Sequence, residues 1–179
     1  MSKISFDYIE KSVRDYTVID FETTGLYPTT DDIIQVGAIK YRDNQAVEEF
    51  CCFVRPTRKA ISPIITRITG ITPEAVADAN AIHVVTADLL DFITGEILVA
   101  HNASFDVGFL KYALQHAAPR GVYEFEVIDT LKWARKCIPT PNHKLETLKE
   151  YLGIDAISHD AAADCFVTGM LYEHLKILG

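Results

Sequence analysis

Residues 16 to 25 read Tyr-Thr-Val-Ile-Asp-Phe-Glu-Thr-Thr-Gly, and few architectures accommodate them. An apolar, β-branched run of this length predicts a buried strand over Tyr16 to Glu22. Two carboxylates interrupt it at Asp20 and Glu22. Side chains two apart in a strand leave from the same face, so the two acids emerge side by side. Thr23-Thr24-Gly25 then turns the chain and puts the pair at a strand end. Like charges this close on an apolar element repel each other and lose hydration. A divalent cation offsets both penalties, and hard oxygen donors favour magnesium or manganese. An isolated Asp-x-Glu at a strand end more often just faces solvent, so a metal reading requires further carboxylates from distant positions.

Two such acids are present. Asp106 sits one turn into a helix that opens at His101-Asn102-Ala103-Ser104, directly after the short apolar strand Ile97 to Ala100. Asp164 lies in the last helix behind Ala161, Ala162 and Ala163, small residues that let the helix approach a sheet closely. Parallel pairing of the strands at 16–22 and 97–100 brings all four acids to one sheet edge. Four carboxylates can hold two divalent ions ~4 Å apart, an arrangement that clamps the attacking and leaving oxygens of a phosphodiester. His159, flanked by Ser158 and Asp160, precedes the last helix in polar surroundings, where a histidine near its ordinary pKa of ~6.5 can take a proton from water. Taken alone it reads as a solvated histidine or a contact at a helix start. For His143 that reading is kept, and His101 reads as an orienting hydrogen-bond donor at the strand end.

The remaining pattern supports one α/β domain with a mixed sheet. Residues 1–14 carry charges throughout and show no clear element, which predicts a lead-in segment ahead of a domain over 15–179. Strands are expected at Tyr16 to Glu22, Ile33 to Tyr41, Ala46 to Val54, Ile97 to Ala100 and Phe125 to Ile128. The first three, joined by short connections, form an antiparallel meander. Ser62-Pro63 and Thr72-Pro73 each carry a helix-start signature, which predicts two short helices separated by Gly70. Further helices are expected at Ala87 to Ile93, from 101 to about His116 with a buried stripe of Phe105, Phe109, Tyr112 and Ala113, at Thr130 to Lys136, at Leu145 to Leu152 and from about Asp160 to Leu178. No uncharged run is long enough to span a membrane, and the N-terminus lacks a signal-like apolar segment. Four cysteines without Cys-x-x-Cys spacing read as reduced thiols, which fits a cytoplasmic protein. The net charge of −8 argues against a broad duplex binder, but cations at an acidic centre leave a nucleic-acid enzyme open.

Three segments together carry a family resemblance. Val-Ile-Asp-Phe-Glu-Thr-Thr-Gly-Leu at 18–26, His-Asn-Ala-Ser-Phe-Asp-Val-Gly-Phe-Leu at 101–110 and His-Asp-Ala-Ala-Ala-Asp at 159–164 resemble, in order, the three motifs of the DEDDh 3′→5′ exonucleases. Similarity between the motifs is greatest to the proofreading, epsilon-type branch of bacterial DNA polymerase III, and it covers nearly all of the chain from about residue 15. The resemblance implies a ribonuclease H-like fold with a five-stranded mixed sheet flanked by helices. It implies that Asp20, Glu22, Asp106 and Asp164 hold two magnesium or manganese ions and that His159 is the general base. It also implies that Thr23, Thr24 and Leu26 contact the terminal nucleotide and that Phe105 packs near the departing end. Many relatives carry histidine where this chain has Thr69, a departure that touches a substrate contact and leaves the chemistry intact.

The implied reaction is hydrolysis of single-stranded or frayed DNA 3′ ends to nucleoside 5′-monophosphates, with a DNA polymerase as a partner. Trimming of RNA, in the manner of RNase T-like or oligoribonuclease-like members, is the alternative within the family. A non-catalytic, polymerase-associated adaptor is the alternative outside it. The chain stops at Gly179 with no tail for docking on a polymerase, which predicts a stand-alone nuclease or an excised domain.

Overall fold

The computed structural model describes residues 2–155 and 160–178. In chain order the elements are β1 (Lys3–Tyr8), β2 (Tyr16–Thr23), β3 (Ile33–Arg42), β4 (Gln45–Arg55), α1 (Pro63–Thr69), β5 (Asn80–Ala81), α2 (Ile82–Ile93), β6 (Leu98–Ala100), α3 (Ser104–His116), β7 (Val122–Asp129), α4 (Thr130–Cys137), α5 (Leu145–Leu152) and α6 (Ala161–Leu178). Among the described residues the strands form one seven-stranded mixed sheet in the order β1-β7-β6-β2-β3-β4-β5. β3 runs antiparallel to both β2 and β4, so the expected meander forms. β2 pairs parallel with β6, β6 with β7 and β7 with β1. The C-terminal ends of β2, β6, β7 and β1 therefore lie along one edge. β4, two antiparallel steps from β2, ends there too.

The five expected strands stand side by side as β7-β6-β2-β3-β4, and the expectation of five strands is corrected by one more at each margin. β1 lies in the stretch expected to hold no element. Its Ile4 and Phe6 alternate with Lys3, Ser5 and Asp7, and Phe6 stacks on Phe125 of β7 with ring centroids 5.4 Å apart. This alternation is the period of a half-buried strand, masked in the sequence by the charged segment around it; the open edge of β7 gives it a partner. β5 is two residues long, too short to show a period. The second expected short helix is also absent: residues 73–78 run as successive turns. Ser62 does cap α1, accepting from the Ile65 amide at 3.3 Å, and Gly70 ends it in the left-handed region at φ 73°.

Both faces of the sheet are covered, which is why the central strands read as near-continuous apolar runs. One core, including Ile19, Phe21, Val36, Leu89, Phe109 and Leu110, lies under α2 and α3. The other, including Tyr16, Val18, Ile39, Cys165 and Tyr172, lies under α6. The buried stripe of α3 differs from expectation. Asp106, Val107, Phe109, Leu110, Ala113 and Leu114 are buried, whereas Phe105 and Tyr112 sit at the margins. Tyr112 is covered by the Arg58 guanidinium, 4.5 Å above its ring.

α6 approaches the sheet closely at Gly37. A Cβ there would collide with the backbone of Ala161, so the contact requires glycine on β3. Among the described residues, no helix is long and apolar enough to cross a membrane. All four cysteines are free thiols; Cys51 is exposed, while its neighbour Cys52 turns toward the core.

Candidate metal centre

Asp20 and Glu22 close β2 on the face covered by α6, opposite Gly37 and Gln35 of β3. Asp164, in the first turn of α6, meets them there. One carboxylate oxygen from each of Asp20, Glu22 and Asp164 lies within 4.8 Å of the other two. Asp106, buried in the first turn of α3, stands beside this triad and outside its 4.8 Å span. Its Oδ1 accepts the Phe21 amide at 3.0 Å, which ties the start of α3 to the strand between the two acids. The sheet edge thus gathers all four predicted acids, three as a tight group and the fourth adjoining it. His159 lies outside the described residues.

Burial and mutual repulsion raise the proton affinity of Asp20, Glu22 and Asp106. Burial pushes Asp20 well above the usual carboxylate range, and Asp106, Asp164 and Glu22 add to the shift. Glu22 is pushed up to about 7 by burial, then by Asp164 and Asp160. Burial also pushes Asp106 up to about 8, against the Phe21 hydrogen bond. The acids raise one another, the electrostatic setting in which a divalent ion would be favoured.

The loop after β2 is shaped by residues predicted to contact substrate. Thr23 Oγ1 donates to the Gly25 carbonyl at 2.6 Å, and Thr24 Oγ1 accepts the Asp32 amide at 2.9 Å. Both threonines are buried, so their hydroxyls are engaged in the turn. Leu26 is 71% exposed beside Tyr27 at 68%, leaving an apolar tip next to the acids. Phe105 is half-buried, its ring 5.1 Å from that of Phe109.

Sequence reasoning missed what holds this loop. Asp32 Oδ1 pairs with Arg58 Nε at 2.8 Å, and Oδ2 accepts the amides of Thr57, Arg58 and Lys59. Asp31 pairs with Lys59 Nζ at 2.5 Å and accepts the Tyr27 amide. Burial opposes the charge on Asp31, but the Lys59 hydrogen bond and the Tyr27 amide outweigh it and hold its carboxyl below the usual range. Gly25 passes directly over that carboxylate, where a Cβ would clash. The adjacent Asp31-Asp32 pair was visible in the sequence; its cations, Lys59 and Arg58, lying 28 and 26 residues on, were not.

His101 orients the neighbouring strand end, as expected. Its Nε2 lies 2.8 Å from the His143 carbonyl and its Nδ1 2.9 Å from Thr130 Oγ1. Burial lowers its pKa, and Nε2–H donates to the carbonyl, which can only accept. His143 is likewise held by a carbonyl, that of Ile138 at 2.9 Å from its Nε2.

An exonuclease family model matches residues 17–172 of the chain. DNA polymerase III PolC-type of Caldanaerobacter subterraneus subsp. tengcongensis is 40% identical over 172 residues, covering 92% of this chain and 12% of the relative. The protein of the same description from Thermotoga petrophila is 38% identical over 149 residues, covering 83% and 11%. The chain therefore spans about a tenth of the length of these relatives. Among solved structures, Exonuclease X in complex with 5′ overhanging duplex DNA superposes with a TM-score of 0.70 at 28% identity, covering 90% of this chain and 91% of that one. E. coli Exonuclease I in complex with a dT13 oligonucleotide superposes with a TM-score of 0.78 at 20% identity, covering 93% and 42%, a likeness of fold.

Proposed function

The chain belongs to the exonuclease family, and on that premise we propose that it hydrolyses the terminal phosphodiester of a DNA 3′ end, releasing nucleoside 5′-monophosphates. The observation that carries this reading is the triad of carboxylates within 4.8 Å at the C-terminal edge of the sheet, with Asp106 beside it. The donor set is all oxygen and strongly anionic, which fits magnesium or manganese. Asp20, Glu22 and Asp164 would hold one ion between them, and Asp106 would serve a second with Asp20. Two such ions supply Lewis-acid stabilisation of the phosphate and of the charge on attacking and leaving oxygens.

The chain's own residues do the rest. His159 takes a proton from the attacking water, a role carried by its place in the third motif. The exposed Leu26 and half-buried Phe105 offer apolar surface on which the last bases stack, which favours an unpaired end and tolerates any sequence. The latch of Arg58 and Lys59 on Asp31 and Asp32 holds the Leu26 loop beside the acids. The names of the relatives support DNA as the polymer and a DNA polymerase as the associated machinery.

End-labelled single-stranded DNA and RNA of one sequence, incubated with magnesium, manganese or chelator, test the reading. Stepwise loss of 3′ mononucleotides from DNA, abolished by chelator and by Asp164→Ala, is the expected result. Preference for RNA would keep the chemistry and change the substrate. Tight binding of ends without cleavage would make the chain an adaptor and overturn the proposal.

A further inference from the structure

We propose that Gln35 is a positioning residue for the acidic centre: it sets where α6 begins, and so where Asp164 stands against Asp20 and Glu22. The inference rests on the reading of that triad as a metal site. Gln35 is 4% exposed in a strand whose neighbours at Ile34, Val36 and Ala38 are apolar. A buried amide there is costly unless both ends are bonded, and both are. Oε1 accepts the Ala161 amide at 3.2 Å, and Nε2 donates to Asp160 Oδ2 at 3.0 Å. Asp160 in turn accepts the Ala163 amide on Oδ1 at 3.1 Å and the Asp164 amide on its carbonyl at 2.8 Å. The Ala161 and Ala163 amides belong to the first helical turn, where the helix supplies no acceptor, whereas the Asp164 amide makes the first i→i−4 bond of α6 to the Asp160 carbonyl. Through Asp160, one strand side chain thus governs the turn that carries Asp164.

Register explains why position 35 has this reach. Glu22 stands directly across from Gln35, and Asp20 across from Gly37. Residues opposite in an antiparallel pair share a face, so Gln35 and Gly37 form the seat of α6 on the face the acids occupy. Gly37 allows the Ala161 backbone to descend to the strand; Gln35 fixes the position it takes along it.

The test is manganese binding by the full chain, followed by electron paramagnetic resonance and calorimetry, with urea unfolding in chelator measured in parallel. Gln35→Met keeps the approximate volume and removes all three side-chain hydrogen bonds, those to Asp160 and Ala161 and the long one to Cys51 Sγ at 3.7 Å. Its Kd for manganese is expected to rise about tenfold or more, the usual consequence of removing a group that orients a metal ligand. Gln35→Glu sets a carboxylate against Asp160. Coulomb attraction alone would tighten manganese binding in that variant, whereas displacement of α6 weakens it. The double variant Gln35→Glu/Asp160→Asn restores a donor opposite an acceptor and is expected to return binding to near the wild-type level. If Gln35→Met unfolds, the comparison of Gln35→Glu with the double variant still decides. Unchanged manganese affinity in Gln35→Met, or tighter binding in Gln35→Glu, would overturn the proposal. Wild type that binds manganese but leaves DNA and RNA ends intact would remove the proposed activity and leave the positioning role standing.

Discussion

Glu22 and Asp106 are carboxyls held near neutrality by the fold, and the sign of the consequence is definite. The folded-state value of Glu22, about 7, lies above its ordinary value of 4.5. Between those two values the folded chain binds more protons than the unfolded chain, so stability is lost as pH rises through the interval. Asp106, at about 8, extends the loss upward. Metal-free protein is therefore expected to unfold at progressively lower urea concentration from pH 4.5 to 8, and magnesium or manganese should flatten the decline. A chelated protein whose urea midpoint rises over that range would contradict the raised values. At His159 the expectation is kinetic. His159→Ala should lower kcat by about 10²–10⁴-fold, the contribution of a general base, with manganese affinity unchanged. Loss of metal binding in that variant would instead place the residue among the ligands. The shared face of Asp20 and Glu22 was legible because side chains alternate along a strand. The latch on Asp31 and Asp32 was illegible because its partners arrive from the segment after β4, a contact without local periodicity.

At the scale of elements, the decisive contact is α6 against β3. Gly37→Ala places a methyl group where the Ala161 backbone lies. It is expected to destabilise the chain by about 1–3 kcal/mol, as overpacking of a dense interior does, and to weaken manganese binding as α6 is pushed away. Full metal affinity alongside lower stability would show that the helix start can shift without moving Asp164. Sequence periodicity located the long helices, since a 3.6-residue pattern needs only the segment itself. It mislocated the buried stripe of α3, because the Arg58 guanidinium, brought from a distant loop, covers Tyr112 in place of the core. It also predicted a helix after Thr72-Pro73 where turns form. A start signature without a following apolar stripe does not commit the chain to a helix.

For the whole molecule, β1 is the element whose removal is most informative. It closes the edge of the sheet by pairing with β7 along six residues, Lys3↔Val122 to Tyr8↔Val127. Deleting residues 2–9 uncovers that edge, and unpaired strand edges template association. The shortened chain is expected to unfold at lower temperature and to form oligomers visible by light scattering, while retaining manganese binding at the distant triad. A monomeric deletion variant of unchanged melting temperature would show β1 to be an ornament.

By itself the sequence determined the mixed α/β class, the five inner strands and the placing of Asp20 and Glu22 on one strand face. These follow from local rules, since hydrophobic period and strand pleat act between near neighbours. Only the tertiary structure decided that β1 and β5 extend the sheet, that three of the four acids draw within 4.8 Å while Asp106 adjoins them, and that Gln35, Asp160 and the Arg58–Lys59 latch support them. Each of those outcomes depends on which distant surface a segment meets, and that is settled by burial and hydrogen-bond satisfaction across the whole fold.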